Sequence, residues 1–324
     1  MYKMISVICF SKDRPLQLDA YISSLHHYSA IPYKNMNIIY TSAGEISYET
    51  AIATYPDVKW IKERDFFSDF ENCVLDAEEF VLLGCDDVVF KGYFDPNVPI
   101  KALVDEPQAI SFSLRLGANL HSLPKLEIDG DLLRWNWRAA GDGNWGYPWD
   151  VSASIYRREF IKELIGRYKN LTNPNRLEAY IAEAIHDDAA VTEKLSIAYK
   201  ASKCLTLTIN RVQDEYANDF DESSMAEPSE LFAQYNLGRR LNWPRFADKS
   251  YNHIHIDGQD FELVDQEPSV GYAGYEHSLK MPNQGAIEWS LPVKIAFWGF
   301  ANRVKERIRP FVPRTVFKLA RRFL

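Results

Sequence analysis

The chain has 324 residues, 46% of them hydrophobic and 14% aromatic, with 37 Lys+Arg against 45 Asp+Glu and a formal net charge of −8. Such length and apolar content supply a sizeable core and exclude a disordered chain; the lack of any apolar run near 20 residues excludes a spanning helix, and 15 glycines exclude a fibrous repeat. The charge is uneven: residues 293–324 hold nine basic residues and one acid, a net +8, which leaves −16 on residues 1–292, a poor surface for nucleic acid.

Met4–Phe10 (MISVICF) is a continuous apolar, β-rich run that stops at Ser11-Lys12-Asp13-Arg14-Pro15. Leu16, Leu18, Ile22 and Leu25 then recur at helical spacing. Asn37–Tyr40 and Val58–Ile61 supply two more strands and Phe66–Ala77 a helix. Glu79–Leu83 (EFVLL) is the most strand-like run of all, and it ends at Gly84-Cys85-Asp86-Asp87. Alternation of this kind predicts an α/β protein with a parallel sheet and crossover helices. Ligands of open α/β sheets lie beyond the carboxyl ends of the strands. Three polar clusters are expected there: Ser11–Arg14, Thr41–Ser42 and Asp86–Asp87.

The middle of the chain is less regular. Ala109–Leu114 reads as a strand, running into Arg115-Leu116-Gly117-Ala118-Asn119, and Leu132–Arg138 as another. From Trp135 to Asp150 (WNWRAAGDGNWGYPWD) four of the eight tryptophans and three glycines make a loop with aromatic walls. Ser154–Tyr168 and Arg176–His186 read as helices, the second entered through Asn173-Pro174-Asn175. Leu205–Ile209 is a last strand, and within the polar stretch 214–290 only Pro228–Leu237 reads as a helix. The expected organisation is a core over 1–213, an extension over 214–291 packing on it, and a tail over 292–324.

That tail alternates apolar and basic positions, broken by Pro310 and Pro313 into two short helices. A basic face opposite Trp298 and several Phe suits an anionic membrane surface through residues 293–324, the alternative being a helix docked on the acidic body. Cys9, Cys73, Cys85 and Cys204 lie far apart with no CxxC pair, and no secretory signal is evident. The expectation is a reduced cytoplasmic protein, peripheral at the inner face of the cell membrane.

The clusters suggest chemistry. Two adjacent carboxylates, Asp86 and Asp87, repel each other unless a cation or hydrogen-bond donors hold them, and hard oxygens suit Mg²⁺ or Mn²⁺ bridging to phosphates; the bland alternative is a solvated turn. Arg14 suits a phosphate and Asp13 a base or ribose, or else Asp13 merely caps a helix. No GxGxxG and no GxxxxGK[ST] is present, which leaves a Rossmann dinucleotide site and a P-loop without support. The aromatic loop suits a sugar, whose hydroxyls Asp142, Asn144 and Asp150 would bond, or else forms a packed cluster. Glu178, early in its helix, reads as a general base or as a solvated acid near a helix N-terminus.

In their order and spacing, ICFSKDRPLQLDAYISSL, FVLLGCDDVVF, RLGAN, GNWGYPWD and NPNRLEAYIA resemble nucleotide-sugar glycosyltransferases of GT-A fold, close to family 2-like enzymes of bacterial surface polysaccharide synthesis. The resemblance covers roughly residues 4–213. It implies a Rossmann-like, mostly parallel sheet flanked by helices, a nucleotide-sugar donor, a divalent cation (Mn²⁺ or Mg²⁺), and a glycan or lipid-linked acceptor. Phe10, Ser11, Asp13, Arg14, Thr41 and Asp86 would then hold the nucleotide. The family's DxD motif maps onto Cys85-Asp86-Asp87, with Asp87 facing the metal, Asp86 sharing the task and Cys85 standing where the family has Asp. Arg115, Asn119, Trp145, Tyr147 and Trp149 would meet the acceptor. SASIYRREF resembles the strand before the base-bearing helix, which makes Glu178 the base, with Asp150 and Asp142 as further catalytic carboxylates, and transfer inverting. Two alternatives are an inactive sugar-nucleotide or glycan-binding module with a degraded DxD, and a sugar-phosphate nucleotidyltransferase.

Overall fold

The computed structural model describes residues 4–141, 143–167, 171–188, 191, 194–212, 226–257 and 261–265. All of them belong to one compact unit, Met1–Gly274. In chain order the elements are β1 (Ile5–Lys12), α1 (Pro15–Ser29), β2 (Met36–Thr41), α2 (Glu49–Thr54), β3 (Lys59–Lys62), α3 (Phe66–Asp76), β4 (Phe80–Cys85), β5 (Val88–Phe90), α4 (Asn97–Asp105) and β6 (Ala109–Ser113). They continue with β7 (Glu127–Asp129), β8 (Leu132–Asn136), β9 (Ser154–Arg157), α5 (Arg158–Arg167), α6 (Pro174–Asp187), β10 (Leu195–Tyr199) and β11 (Cys204–Thr208). The last are α7 (Pro228–Asn236), β12 (Arg239–Leu241), β13 (His255–Asp257) and β14 (Leu263–Asp265).

Nine strands form one sheet in the order β3-β2-β1-β4-β9-β6-β10-β8-β7. Only β9 and β8 run against the rest, so the expected mostly parallel sheet flanked by helices is the architecture. The strand order reverses between β1 and β4, which opens a crevice at their carboxyl ends. Both strands are buried on two faces, as near-continuous apolar runs require. Ile8 and Phe10 of β1 join Val81 and Leu83 of β4 in one core, while Val7 and Cys9 join Phe80 and Leu82 in the other. Gly84 of β4 is obligatory, because a Cβ there would run into the ring and hydroxyl of Tyr21.

The sequence placed a helix over Ser154–Tyr168, whereas its first four residues are β9. Ile155 and Tyr156 point into opposite cores, and β9 fills the antiparallel slot between β4 and β6; the helix starts at Arg158. α6 begins as expected: Asn173 caps it by accepting the Arg176 amide at 2.9 Å, with Pro174 in the first turn. Beyond position 213 the chain contributes α7 and β12 to a third core, where Leu231, Tyr235 and Leu241 pack on Leu16 and Ala20 of α1. Residues 292–324, with the expected basic helices, lie outside the described residues. Among the described residues no helix is long and apolar enough to cross a membrane.

Candidate active site

Two buried arginine–aspartate pairs sit along the carboxyl edge of the sheet. The first joins β1 to β4. From the loop after β1, Arg14 Nη1 donates to Asp86 Oδ1 at 3.0 Å and to Asp87 Oδ2 at 3.3 Å. Its Nε donates to Asn210 Oδ1 at 2.8 Å and its Nη2 to the Asn210 carbonyl at 2.6 Å. The second Asp86 oxygen accepts from Ser11 Oγ at 2.8 Å and the Lys12 amide at 3.2 Å. Tyr48, packed beneath, shares a hydrogen bond with Ser11 and accepts the Arg14 amide at 3.1 Å. Burial pushes the Asp86 carboxyl above the usual carboxylate range, and Arg14 pulls it only part of the way back.

The second pair joins the loop after β6 to the start of β9. Arg115 Nη2 donates to Asp150 Oδ2 at 2.9 Å. Ser154 Oγ adds a bond to that oxygen, and the Ser152 amide donates to the other. Glu178, on the first turns of α6, accepts the Val151 amide at 3.3 Å, while Cys85 Sγ donates to the Val151 carbonyl at 3.6 Å. Val151 therefore stands between the DxD-like turn and the candidate base. Burial and the neighbouring Asp150 carboxylate push Glu178 well above the ordinary range, with Arg115 and the Val151 amide offsetting part of that. His255 of β13 is exposed and within electrostatic reach of Arg115, Asp87 and Asp150.

The fold thus brings Ser11, Arg14, Asp86, Asp87, Arg115, Asp150 and Glu178 to one edge. Asp13 holds the neighbouring loop: with φ at 55°, its carboxylate accepts the Ala43 amide at 2.6 Å and its amide donates to the Thr41 carbonyl at 3.2 Å. Phe10 is elsewhere, its ring in the core against Phe66 and Phe70. The aromatic loop also turns inward. Trp135, Trp137, Trp145 and Trp149 are all buried in one core, Trp149 against Tyr156, so the indoles stabilise the loop and form no exposed wall; Tyr147 alone of the expected aromatic residues stays exposed. Asn119 spends its amide on loop closure, bonding Ser202 and the Tyr251 carbonyl. Asp142 lies outside the described residues. Sequence reading missed Tyr48 and Asn210, whose roles come from contacts 34 and 196 positions away in the chain.

Among the described residues no three His, Cys, Asp or Glu side chains gather as a metal cage. Asp86 has both oxygens taken by protein donors. Asp87 is half-buried and has one oxygen, Oδ1, with no bond to the described residues. That donor set fits a cation held by one carboxylate and substrate phosphates, the usual mode for Mg²⁺.

No family model matches the chain. In sequence it is 28% identical, over a 303-residue alignment, to the bifunctional glycosyltransferase pgtA of Dictyostelium discoideum. The alignment takes in 78% of this chain and 38% of that protein, so the chain spans well under half the length of this relative. The relative is a glycosyltransferase, the class that the ordered motifs resemble. Solved structures that overlay on the chain include the mannosyltransferase PcManGT of Pyrobaculum calidifontis with GDP-Man and Mn²⁺ (TM-score 0.36, 13% identity, 61% of this chain and 54% of that one). Another is S. aureus TarS 1–349 with UDP (TM-score 0.38, 14% identity, 61% and 58%).

Proposed function

We propose that this chain is a glycosyltransferase that moves a sugar from a nucleotide-sugar donor to a hydroxyl of a glycan or lipid-linked acceptor, with inversion at the anomeric carbon. The carrying observation is the single edge shared by the Asp87 turn and the half-buried Glu178, linked through the backbone of Val151. The glycosyltransferase relative supports the same reading.

In this reading the donor diphosphate lies over the β1 and β4 ends. Asp87 would hold a divalent cation there, which when bound would offset charge on the departing nucleoside diphosphate. Arg14 keeps Asp86 in place beneath it. Glu178 takes the proton from the acceptor hydroxyl; its raised proton affinity brings it towards the working pH, which strengthens a general base. Asp150, held by Arg115, Ser152 and Ser154, stays fixed while Glu178 changes protonation.

A lipid-linked acceptor would agree with residues 293–324 docking on an anionic membrane surface, and the proposed setting is surface polysaccharide synthesis. The decisive experiment incubates the full chain with a panel of UDP-, GDP-, dTDP- and CMP-sugars with and without Mn²⁺. Donor hydrolysis or transfer is the expected result; binding without turnover of any donor would leave a binding module, and pyrophosphate release from a nucleoside triphosphate and a sugar phosphate would mark a nucleotidyltransferase.

A further inference from the structure

The aromatic loop is fastened to α6 at both ends of the helix. Arg138 leaves the short 3-10 turn Trp137–Ala139 and lays its guanidinium over the Trp137 ring, 4.5 Å from the centroid. From there Nη1 donates to the His186 carbonyl at 2.9 Å, and Nη2 to the carbonyls of Ile185 at 3.0 Å, Val191 at 3.2 Å and Asp188 at 3.5 Å. The last carbonyls of a helix have no partner within it, and a cation there also meets the negative end of the helix dipole. His186 adds a second fastening, its Nε2 donating to the Gly146 carbonyl at 3.0 Å and its ring meeting Trp137 edge-on. The turn itself is tied to the sheet side, because the Trp137 amide donates to the Lys194 carbonyl at 3.1 Å.

An arginine capping a helix C-terminus is common. What sets this one apart is where its loop ends: at Val151, whose amide donates to Glu178 Oε2 at 3.3 Å on the first turns of the same helix. Among the described residues that is the one hydrogen bond holding Glu178, and it is at the long end of the normal range. Between the two fastenings α6 runs about 12 Å at 1.5 Å per residue, with Leu177, Ile181 and Ile185 in the same core as Trp137, Trp145 and Trp149. Apolar packing is non-directional and resists a slide of the helix along its axis less than hydrogen bonds at a fixed end do.

We propose that the aromatic loop is a brace that sets where Glu178 stands, with Arg138 as its positioning residue. Arg138 acts at a distance: it fixes the axial position of α6, and the rigid helix carries that position to the carboxylate and its bond with Val151. A misplacement of about 1 Å at a reacting group costs on the order of 10² in rate. The loop's tryptophans then have a task although they face inward, since they form the packed base on which the Arg138 clamp rests. The consequence for rate rests on the reading of Glu178 as the base of glycosyl transfer; the consequence for the Val151–Glu178 bond rests on geometry alone. A control is built into the fold. Arg158 Nη1 donates to the Ala77 carbonyl at 2.7 Å, capping the end of α3 in the same manner, and no loop returns from that cap to Glu178.

Amide hydrogen exchange on the full chain, resolved at Val151 by NMR, would compare the wild type with Arg138→Ala, Arg138→Lys and Arg158→Ala. In Arg138→Ala the Val151 amide should exchange about tenfold faster or more while the amides of β1 and β4 keep their protection. Arg138→Lys, which keeps a donor at part of the carbonyl set, should fall between, and Arg158→Ala should leave Val151 as in the wild type. With a donor that the wild type turns over, Arg138→Ala should lower kcat about tenfold or more at unchanged donor KM, and Arg158→Ala should change neither. Faster exchange confined to Ala184–Asp188, an equal rise at Val151 in Arg158→Ala, or an unaltered kcat in an Arg138→Ala chain whose Val151 amide has loosened would each overturn the brace and leave the transfer reading intact. Should Arg138→Ala fail to fold, His186→Ala, which removes the Gly146 fastening, must loosen Val151 in the same pattern by a smaller factor; full protection there overturns the brace. A wild type that turns over no donor would overturn the transfer reading, and exchange at Val151 would then decide the brace by itself.

Discussion

The two buried arginine–aspartate pairs look alike in distance, 3.0 Å and 2.9 Å, and differ in how completely they are satisfied. Arg14 faces two carboxylates and Asn210, and both Asp86 oxygens have donors. Among the described residues Arg115 faces one carboxylate, keeps an Nε–H without an acceptor, and has Glu178 close by with only the Val151 amide to hold it. A saturated pair fixes geometry. An incompletely satisfied one leaves room for a ligand and a proton to move. On this basis we propose that the β1/β4 end is a rigid platform for the donor and the β6/β9 end is where the acceptor proton moves.

The largest expected effect tests the platform. Arg14→Ala strips the counter-charge from two adjacent carboxylates, one of them buried, and should cost about 3–5 kcal/mol in denaturant unfolding, enough to leave much of the protein unfolded. Arg115→Ala should cost less, since Asp150 keeps its bonds from Ser152 and Ser154. Equal losses in the two variants would erase the contrast. Glu178→Gln probes the other end. It should cut transfer by a factor of about 10²–10⁴ with little change in unfolding free energy or nucleotide affinity. A near wild-type rate in steady-state assays with a turned-over donor would remove Glu178 from the role of base.

A third buried carboxylate, Asp19, shows what incomplete satisfaction does away from the site. Tyr55, Tyr235 and Arg240 all converge on Oδ1, at 3.1, 3.2 and 3.4 Å, and Oδ2 has no partner among the described residues. Burial pushes Asp19 up to about 6, with Arg240 opposing. A carboxyl raised in the folded state binds its proton more tightly there than in the unfolded chain. Its contribution is fully present below about pH 4 and is lost as the pH rises through about 6. Unfolding free energies at pH 4.5 and 7 should therefore differ more in the wild type than in Asp19→Asn, by about 2 kcal/mol. Equal pH slopes would show that Asp19 stays ionised throughout.

What the sequence revealed follows a physical divide. β1, β2 and β4 were readable because strands buried on both faces are continuous apolar runs, and the polar residues ending them mark the carboxyl edge. The α6 start was readable because Asn173 and Pro174 act locally. From spacing alone β9 reads as helix, because its strand character comes from the slot between β4 and β6, a tertiary fact; only the family resemblance marked SASIYRREF as a strand. β10 escaped notice because Ser196 and Ala198 make its face polar or small. The tryptophans of residues 135–150 announced a special loop, yet composition does not say which way an indole turns; here they turn inward, held by one another. Asn210 escaped notice, since its bonds to Arg14 span nearly two hundred residues.

The smallest effect is the finest test of the contrast. Glu178 is raised by burial first and by Asp150 next, and Arg115 opposes. Asp150→Asn removes the like charge and also frees Arg115 from its partner, so both changes favour ionised Glu178. The Ser152 amide still has a side-chain oxygen to meet, because an asparagine carbonyl can accept where Asp150 Oδ1 does. The acidic limb of the transfer rate, set by ionisation of the base, should therefore move to lower pH by about one unit. A weaker base also accepts the acceptor proton less readily, and the plateau rate should fall modestly. A limb that stays fixed in Asp150→Asn would mean that burial alone sets the proton affinity of Glu178, and the second arginine–aspartate pair would then be scaffolding like the first.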